Sequence, residues 1–178
     1  MTPGFTEDWF CEASCEVLAG LVRSVAEVDG LIVEIGSWEG RSTVAMAAAA
    51  HPRIVHAVDT WRGSPGEISE VLAGQRDVYA QFCANVAAFS AGNVEAHRAG
   101  WRDYLPTITR PVALAFVDAE HTYAEVHDNI AALMPLMASG GVICGDDVNC
   151  LPVRRAVADL LNPHRVDVKA TVWSWRAP

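Results

Sequence analysis

No apolar run in this chain approaches the roughly 20 residues of a membrane span. The opening stretch MTPGFTEDWF has two acids and no basic segment ahead of an apolar one, so a secretory signal is not expected. Both absences point to a cytoplasmic protein without a membrane partner. Positive charge is also scarce: thirteen Lys and Arg stand against twenty-two Asp and Glu, a formal net charge of -9. Phosphate backbones are held by clustered Lys and Arg, so a nucleic-acid partner is not expected, whereas a small cationic ligand is compatible. The five cysteines are an odd number, and Cys11 and Cys15 have no His or second Cys pair at zinc spacing. They read as free thiols. Repeats, low-complexity tracts and linkers are missing too, and 178 residues with 51% apolar content suit one domain over 1–178.

What is present alternates between two hydrophobic periods. Phe10, Ala13, Val17, Leu21 and Val25 recur at helical spacing, which predicts an N-terminal helix within residues 1–29. LIVEIG, RIVHAVD, NVEAHRAG, VALAFVD and GVICGD read as strands, with helical segments RSTVAMAAAAH, QRDVYAQFCANVAAF and TYAEVHDNIAALM between them. Thr122 and Glu125 form a capping-box pattern, Pro135 should end that helix, and Pro152 suits the first position of PVRRAVADLL. VDVKATVWSW closes the chain as one or two strands. Strands alternating with helices imply a parallel sheet covered on both faces. Residues 60–74, TWRGSPGEISEVLAG, are rich in turn formers and predict a long loop, a candidate lid.

In such sheets ligands bind beyond the carboxyl ends of the strands. Those ends carry Glu34, Gly36, Gly40 and Ser42, then Asp59 and Trp61, then Gly100 and Trp101, then Asp118, Glu120 and His121, and finally Asp146 and Asp147. Any one of these reads as an ordinary polar turn. Acids after the second, fourth and fifth strands together do not. The glycine loop narrows the ligand: bulky Trp38 stands where a dinucleotide fingerprint needs its second glycine, and a P-loop lysine is missing. Asp59 follows Gly40 at nearly the spacing at which an acid takes ribose hydroxyls, so a nucleoside without phosphates fits best.

VEIGSWEGRSTVAMA, VHAVDTW, FVDAEHTY and GGVICGDDV together resemble the class I S-adenosylmethionine-dependent methyltransferases, nearest to O-methyltransferases of the catechol, macrocin and cephalosporin-pathway type. The resemblance runs from about residue 30 to the C-terminus. It implies a single Rossmann-like α/β domain with a mostly parallel seven-stranded sheet, helices on both faces and an antiparallel last strand. It also implies that Glu34, Gly36, Ser37 and Gly40 surround the methionine part of the cofactor. Asp59 would hold the ribose, Trp61 or Trp101 would flank adenine, and Ser42, Gly100 and Asp118 complete the cofactor set. Asp118, Asp146 and Asp147 match the magnesium ligands of the metal-dependent members. Asp147 stands where the catechol type has Asn, and His121 where it has a lysine base, so His121 is the candidate base.

Elementary electrostatics agrees, since three converging carboxylates raise one another's pKa unless a cation neutralises them. Oxygen ligation suits Mg²⁺. The competing explanation makes these aspartates caps of the following turns. The expected activity is methyl transfer to a hydroxyl of a small molecule in secondary metabolism, with homodimerisation allowed. A metal-independent methyltransferase and a non-catalytic cofactor-binding protein are the alternatives.

Overall fold

A computed structural model describes all of residues 1–178. Seven strands form one sheet in the order β3-β2-β1-β4-β5-β7-β6. They are β1 Leu31–Ile35, β2 Val55–Asp59, β3 Val94–Arg98, β4 Val112–Val117, β5 Met137–Gly145, β6 Val166–Lys169 and β7 Val172–Arg176. β1 to β5 pair in parallel, and β7 runs antiparallel to both β5 and β6. The expected Rossmann-like α/β architecture is therefore present, and only β7 is reversed.

The helices are α1 Glu12–Ser24, α2 Arg41–Ala50, α3 Ile68–Gln75, α4 Val78–Phe89, α5 Trp101–Tyr104, α6 Tyr123–Leu133 and α7 Leu151–Leu160. None is long and apolar enough to cross a membrane. Alternate residues of the central strands feed two cores. Val33, Ile35, Ala115, Val117 and Ile143 join α6 and α7 on one face, and Ile32, Leu114, Phe116 and Cys144 join α1 and α2 on the other. All six residues of β4 are buried, as its continuous apolar run requires.

Four local expectations change. α1 begins only at Glu12, and residues 1–11 run as an irregular strap instead of extending the N-terminal helix. The expected loop at 60–74 is irregular only to Glu67, because α3 occupies its second half. Of α3 only Ser69 is buried while Ile68 and Val71 are exposed, so the helix lacks the apolar stripe that would have announced it. Thr122 caps α6 by accepting from the Glu125 amide, but the Glu125 carboxylate turns away to Trp101 and Arg102, leaving half a capping box. Pro135 does end α6, in a short 3₁₀ turn over Met134–Leu136, and Pro152 stands second in α7 rather than first.

Candidate active site

Parallel strands deliver their carboxyl ends to one side, and a cavity of about 610 Å³ opens there. This is the size of a small-molecule site. Nine carboxylates and two arginines line it, a balance that favours a positively charged ligand.

The floor is the turn after β1. Gly36 sits at φ +88 with the Asp118 carbonyl so close that a Cβ would lie 2.1 Å from it. No side chain fits. Backbone packing between the ends of β1 and β4 thus sets this glycine, beyond any need to admit a ligand. Gly40, at φ +87, faces the Phe82 ring and does not line the cavity, so its requirement is conformational and internal. Gly100 lines the cavity and has room for a Cβ, whose nearest neighbour would be Asp103 at 3.6 Å.

Asp59 braces this turn. Its Oδ2 accepts from the amides of Ser37 and Trp38 at 2.8 and 2.9 Å, and its Oδ1 accepts from the Trp61 amide at 2.7 Å. A carboxylate offers about four acceptor positions, so Oδ1 keeps one for a ligand. Besides Gly40, two more expected cofactor contacts lie elsewhere. Glu34 is fully buried beneath the turn, accepting from Ser42 Oγ at 2.5 Å and from Thr43 Oγ1. Trp61 is buried against Tyr79 and Phe82, with its indole N–H on the Trp38 carbonyl. Neither touches the cavity. A single acid in an apolar strand reads equally as a ligand contact or as an anchor, and tertiary packing makes Glu34 an anchor. Trp101 does line the cavity, its N–H on Glu125 and the Arg102 guanidinium 4.1 Å from the ring centroid.

Burial pushes the Glu34 carboxyl up to about 7, against the hydrogen bonds from Ser42 and Thr43. A folded-state pKa above the unfolded one means stability falls as pH rises from about 4.5 towards 7. Glu34→Gln does not titrate there. Urea melts should show the variant gaining on wild type across that window, by up to ~3 kcal/mol at ~1.36 per unit. A constant difference would show that Glu34 is ionised throughout.

The far rim holds Asp118, Asp146, Asp147 and His121. His121 Nε2 lies 2.9 Å from Asp147 and 3.7 Å from Asp118, and Nδ1 lies 3.1 Å from Glu67. Asp118 and Asp147 push the imidazole pKa up to about 11, against the opposing effect of burial. Burial and Asp118 push Asp146 up to about 6. One carboxylate oxygen here is buried without a hydrogen-bond partner, Asp146 Oδ1. An orphaned carboxylate oxygen beside two further carboxylates is a donor set that fits a hard divalent ion. Asp118, His121 and Asp147 alone bring one ligand atom each within 4.8 Å of one another. Two of the three expected ligands therefore meet the expected base, while Asp146 lines the same cavity without joining that group. The base, however, carries a proton as long as the carboxylate charge is uncompensated.

The strap was not anticipated. Phe5, Glu7, Trp9 and Phe10 wall the cavity, held by Arg76 on Glu7 (2.6 Å), the Trp38 N–H on Glu7 (3.1 Å) and the Thr6 amide on Glu39 (2.7 Å). The only sequence signal was three aromatics among polar residues ahead of the helix.

Residues 33–148 match a family described as methyltransferase domain. No curated protein sequence matches the chain. Several solved structures share its fold. The O-methyltransferase NovP superposes with a TM-score of 0.71 at 23% identity, over 92% of this chain and 78% of that one. TomG from Streptomyces achromogenes, an O-methyltransferase involved in tomaymycin synthesis and solved with SAM, gives 0.67 at 20%, over 92% and 79%. SMU.1697c of Streptococcus mutans, a putative methyltransferase solved with SAH, gives 0.65 at 14%, over 90% and 96%.

Proposed function

This chain belongs to the methyltransferase domain family, and from that premise we propose that it moves the methyl group of S-adenosylmethionine to a hydroxyl oxygen of a small molecule, with Mg²⁺ at the acidic rim. One observation carries the reading: a single cavity has the braced Gly36–Asp59 turn on one side and the Asp118–His121–Asp146–Asp147 cluster on the other. The sulfonium suits the acidic lining. Natural-product acceptors are favoured by the likeness to TomG, and a cytoplasmic site of action follows from the sequence expectation.

The turn and Asp59 bind and orient the cofactor, Trp101 flanks its adenine, and the strap excludes water. The bound cofactor would supply the methyl group to the acceptor oxygen and be left as S-adenosylhomocysteine, and His121 would take the oxygen's proton. Such positioning supplies ~7–11 kcal/mol of a barrier. Asp118, Asp146 and Asp147 would hold the cation, which when bound offsets the carboxylate charge that protonates His121 and lowers the pKa of a coordinated hydroxyl. His121→Ala should lower turnover ~10²–10⁴-fold while leaving cofactor affinity nearly intact. Near-normal turnover would make His121 a structural partner of Asp147.

Labelled methyl transfer to a panel of catechols, phenols and sugars, with S-adenosylhomocysteine release counted in parallel, tests the reading. Transfer to oxygen supports it. Tight cofactor binding with no transfer to any acceptor would favour a non-catalytic binding protein, and NAD binding without the adenosyl ligand would refute it.

A further inference from the structure

A second group of ligating side chains lies on the sheet, away from the cavity. β2 and β3 pair in parallel with His56 opposite Glu95 and Val58 opposite His97. Successive strand residues alternate faces, so Glu95 and His97 share the face that His56 also occupies. Their donor atoms meet: His56 Nδ1 is 3.1 Å from His97 Nε2 and 3.9 Å from Glu95, and His97 Nε2 is 3.6 Å from Glu95. We infer that His56, Glu95 and His97 form a second cation site, for a divalent d-block ion of the Zn²⁺ class.

The separations are of the right size. Bonds of ~2.0–2.2 Å to a four-coordinate ion set neighbouring ligand atoms roughly 3.3 Å apart. Two imidazole nitrogens with one carboxylate select zinc, cobalt or nickel over Mg²⁺, which prefers oxygen. The imidazoles are held in place before any ion arrives. Their rings stack with centroids 5.3 Å apart, and the Tyr104 ring packs 4.5 Å from His97. Access is open because β3 is an edge strand and the Glu95 side chain is 60% exposed, against 16% for His56 and 22% for His97. His56 precedes Asp59 by three residues, ~10 Å along the strand, which separates this site from the cavity rim. A bound ion would clip the edge strand to its neighbour. The competing arrangement is one proton shared between the two imidazoles, with Glu95 a solvated neighbour.

Zn²⁺ titrated calorimetrically into the full chain carrying Asp118→Asn and Asp147→Asn separates the two, because those changes dismantle the rim cluster. One Zn²⁺ per chain is expected in that background. Adding Glu95→Gln or His97→Gln should each weaken it by more than about 100-fold, since loss even of a group that only supports a ligand costs ~10–100-fold. The Tm should rise with Zn²⁺ in the background and not in either added variant. Glu95 is exposed, so its substitution keeps the fold if the His97 change does not. A background that binds no Zn²⁺, or Zn²⁺ binding untouched by Glu95→Gln, overturns the site. The methyltransferase reading is unaffected by either result.

Discussion

Calorimetry on Gly36→Val should detect no S-adenosylhomocysteine binding and no methyl transfer. The glycine is at φ +88, where a β-branched residue is strained, and its Cβ would meet the Asp118 carbonyl oxygen at 2.1 Å and the Ala119 Cα at 2.7 Å. These are backbone atoms at the end of β4, so no side chain can swing aside. Relief requires the turn to lift away from β4. That movement breaks the Asp118 amide's hydrogen bond to the Ile35 carbonyl and the bonds from Ser37 and Trp38 to Asp59. Floor and rim are then displaced together. Gly36→Ala meets the same contact and should fail similarly. Gly20→Ala in α1 is the control, because its Cβ would meet nothing within 4 Å, its φ is not left-handed and it lies outside the cavity. Circular dichroism separates local loss from unfolding, and native-like binding by Gly36→Ala would mean the turn is not packed on β4 as described.

The second large effect concerns the acidic rim. Excess chelator should remove methyl transfer and Mg²⁺ should restore it, with Tm rising as Mg²⁺ passes its Kd. Asp118→Asn and Asp146→Asn should each lower turnover by at least ~10²-fold, since each removes a charged ligand from a positioned site. Asp147→Asn should keep partial activity. Residue 147 is at φ +58, a conformation Asn tolerates well, and the amide keeps one carbonyl oxygen for the ion. The variants also separate two roles. In the ion-free chain Asp118 and Asp147 hold His121 protonated, with its pKa raised to about 11, above an unfolded value near 6.5. The stabilisation from that cluster is fully present below about pH 6.5 and is lost as pH rises towards 11. Chelated wild type should therefore lose its stability advantage over His121→Gln in alkaline melts, and Mg²⁺ should flatten that dependence. Full activity in chelator with no thermal shift would leave Asp146 and Asp147 as turn residues only.

Much of the site was legible because parallel strands put all their carboxyl ends on one side. Knowing only that LIVEIG, RIVHAVD, VALAFVD and GVICGD are strands brings Gly36, Asp59, Asp118 and Asp146 to a common edge. The resemblance to methyltransferases rests on the same segments. Less was legible wherever one residue type serves two ends. Glu34 and Asp59 are both acids at strand ends, yet one lies under the turn holding two hydroxyls and the other reaches the cavity. Trp61 and Trp101 divide in the same way, one to the core and one to the cavity.

Alternation of apolar periods, the order of strands and helices, and the run of acids after strands two, four and five belong to the sequence alone. They are local, and hydrophobic burial acts on them without reference to distant residues. The tertiary structure alone decided which side chains those acids meet. The His121 imidazole has its pKa pushed up only because Asp118 and Asp147 come from different strand ends to face it. The strap of residues 1–11 becomes a wall only because Arg76, Glu39 and Asn85 lie where it passes. His56, Glu95 and His97 meet only through the register of β2 on β3. Charge state and ligation depend on distances of a few ångströms between residues far apart in the chain, and no periodicity along the chain encodes such distances.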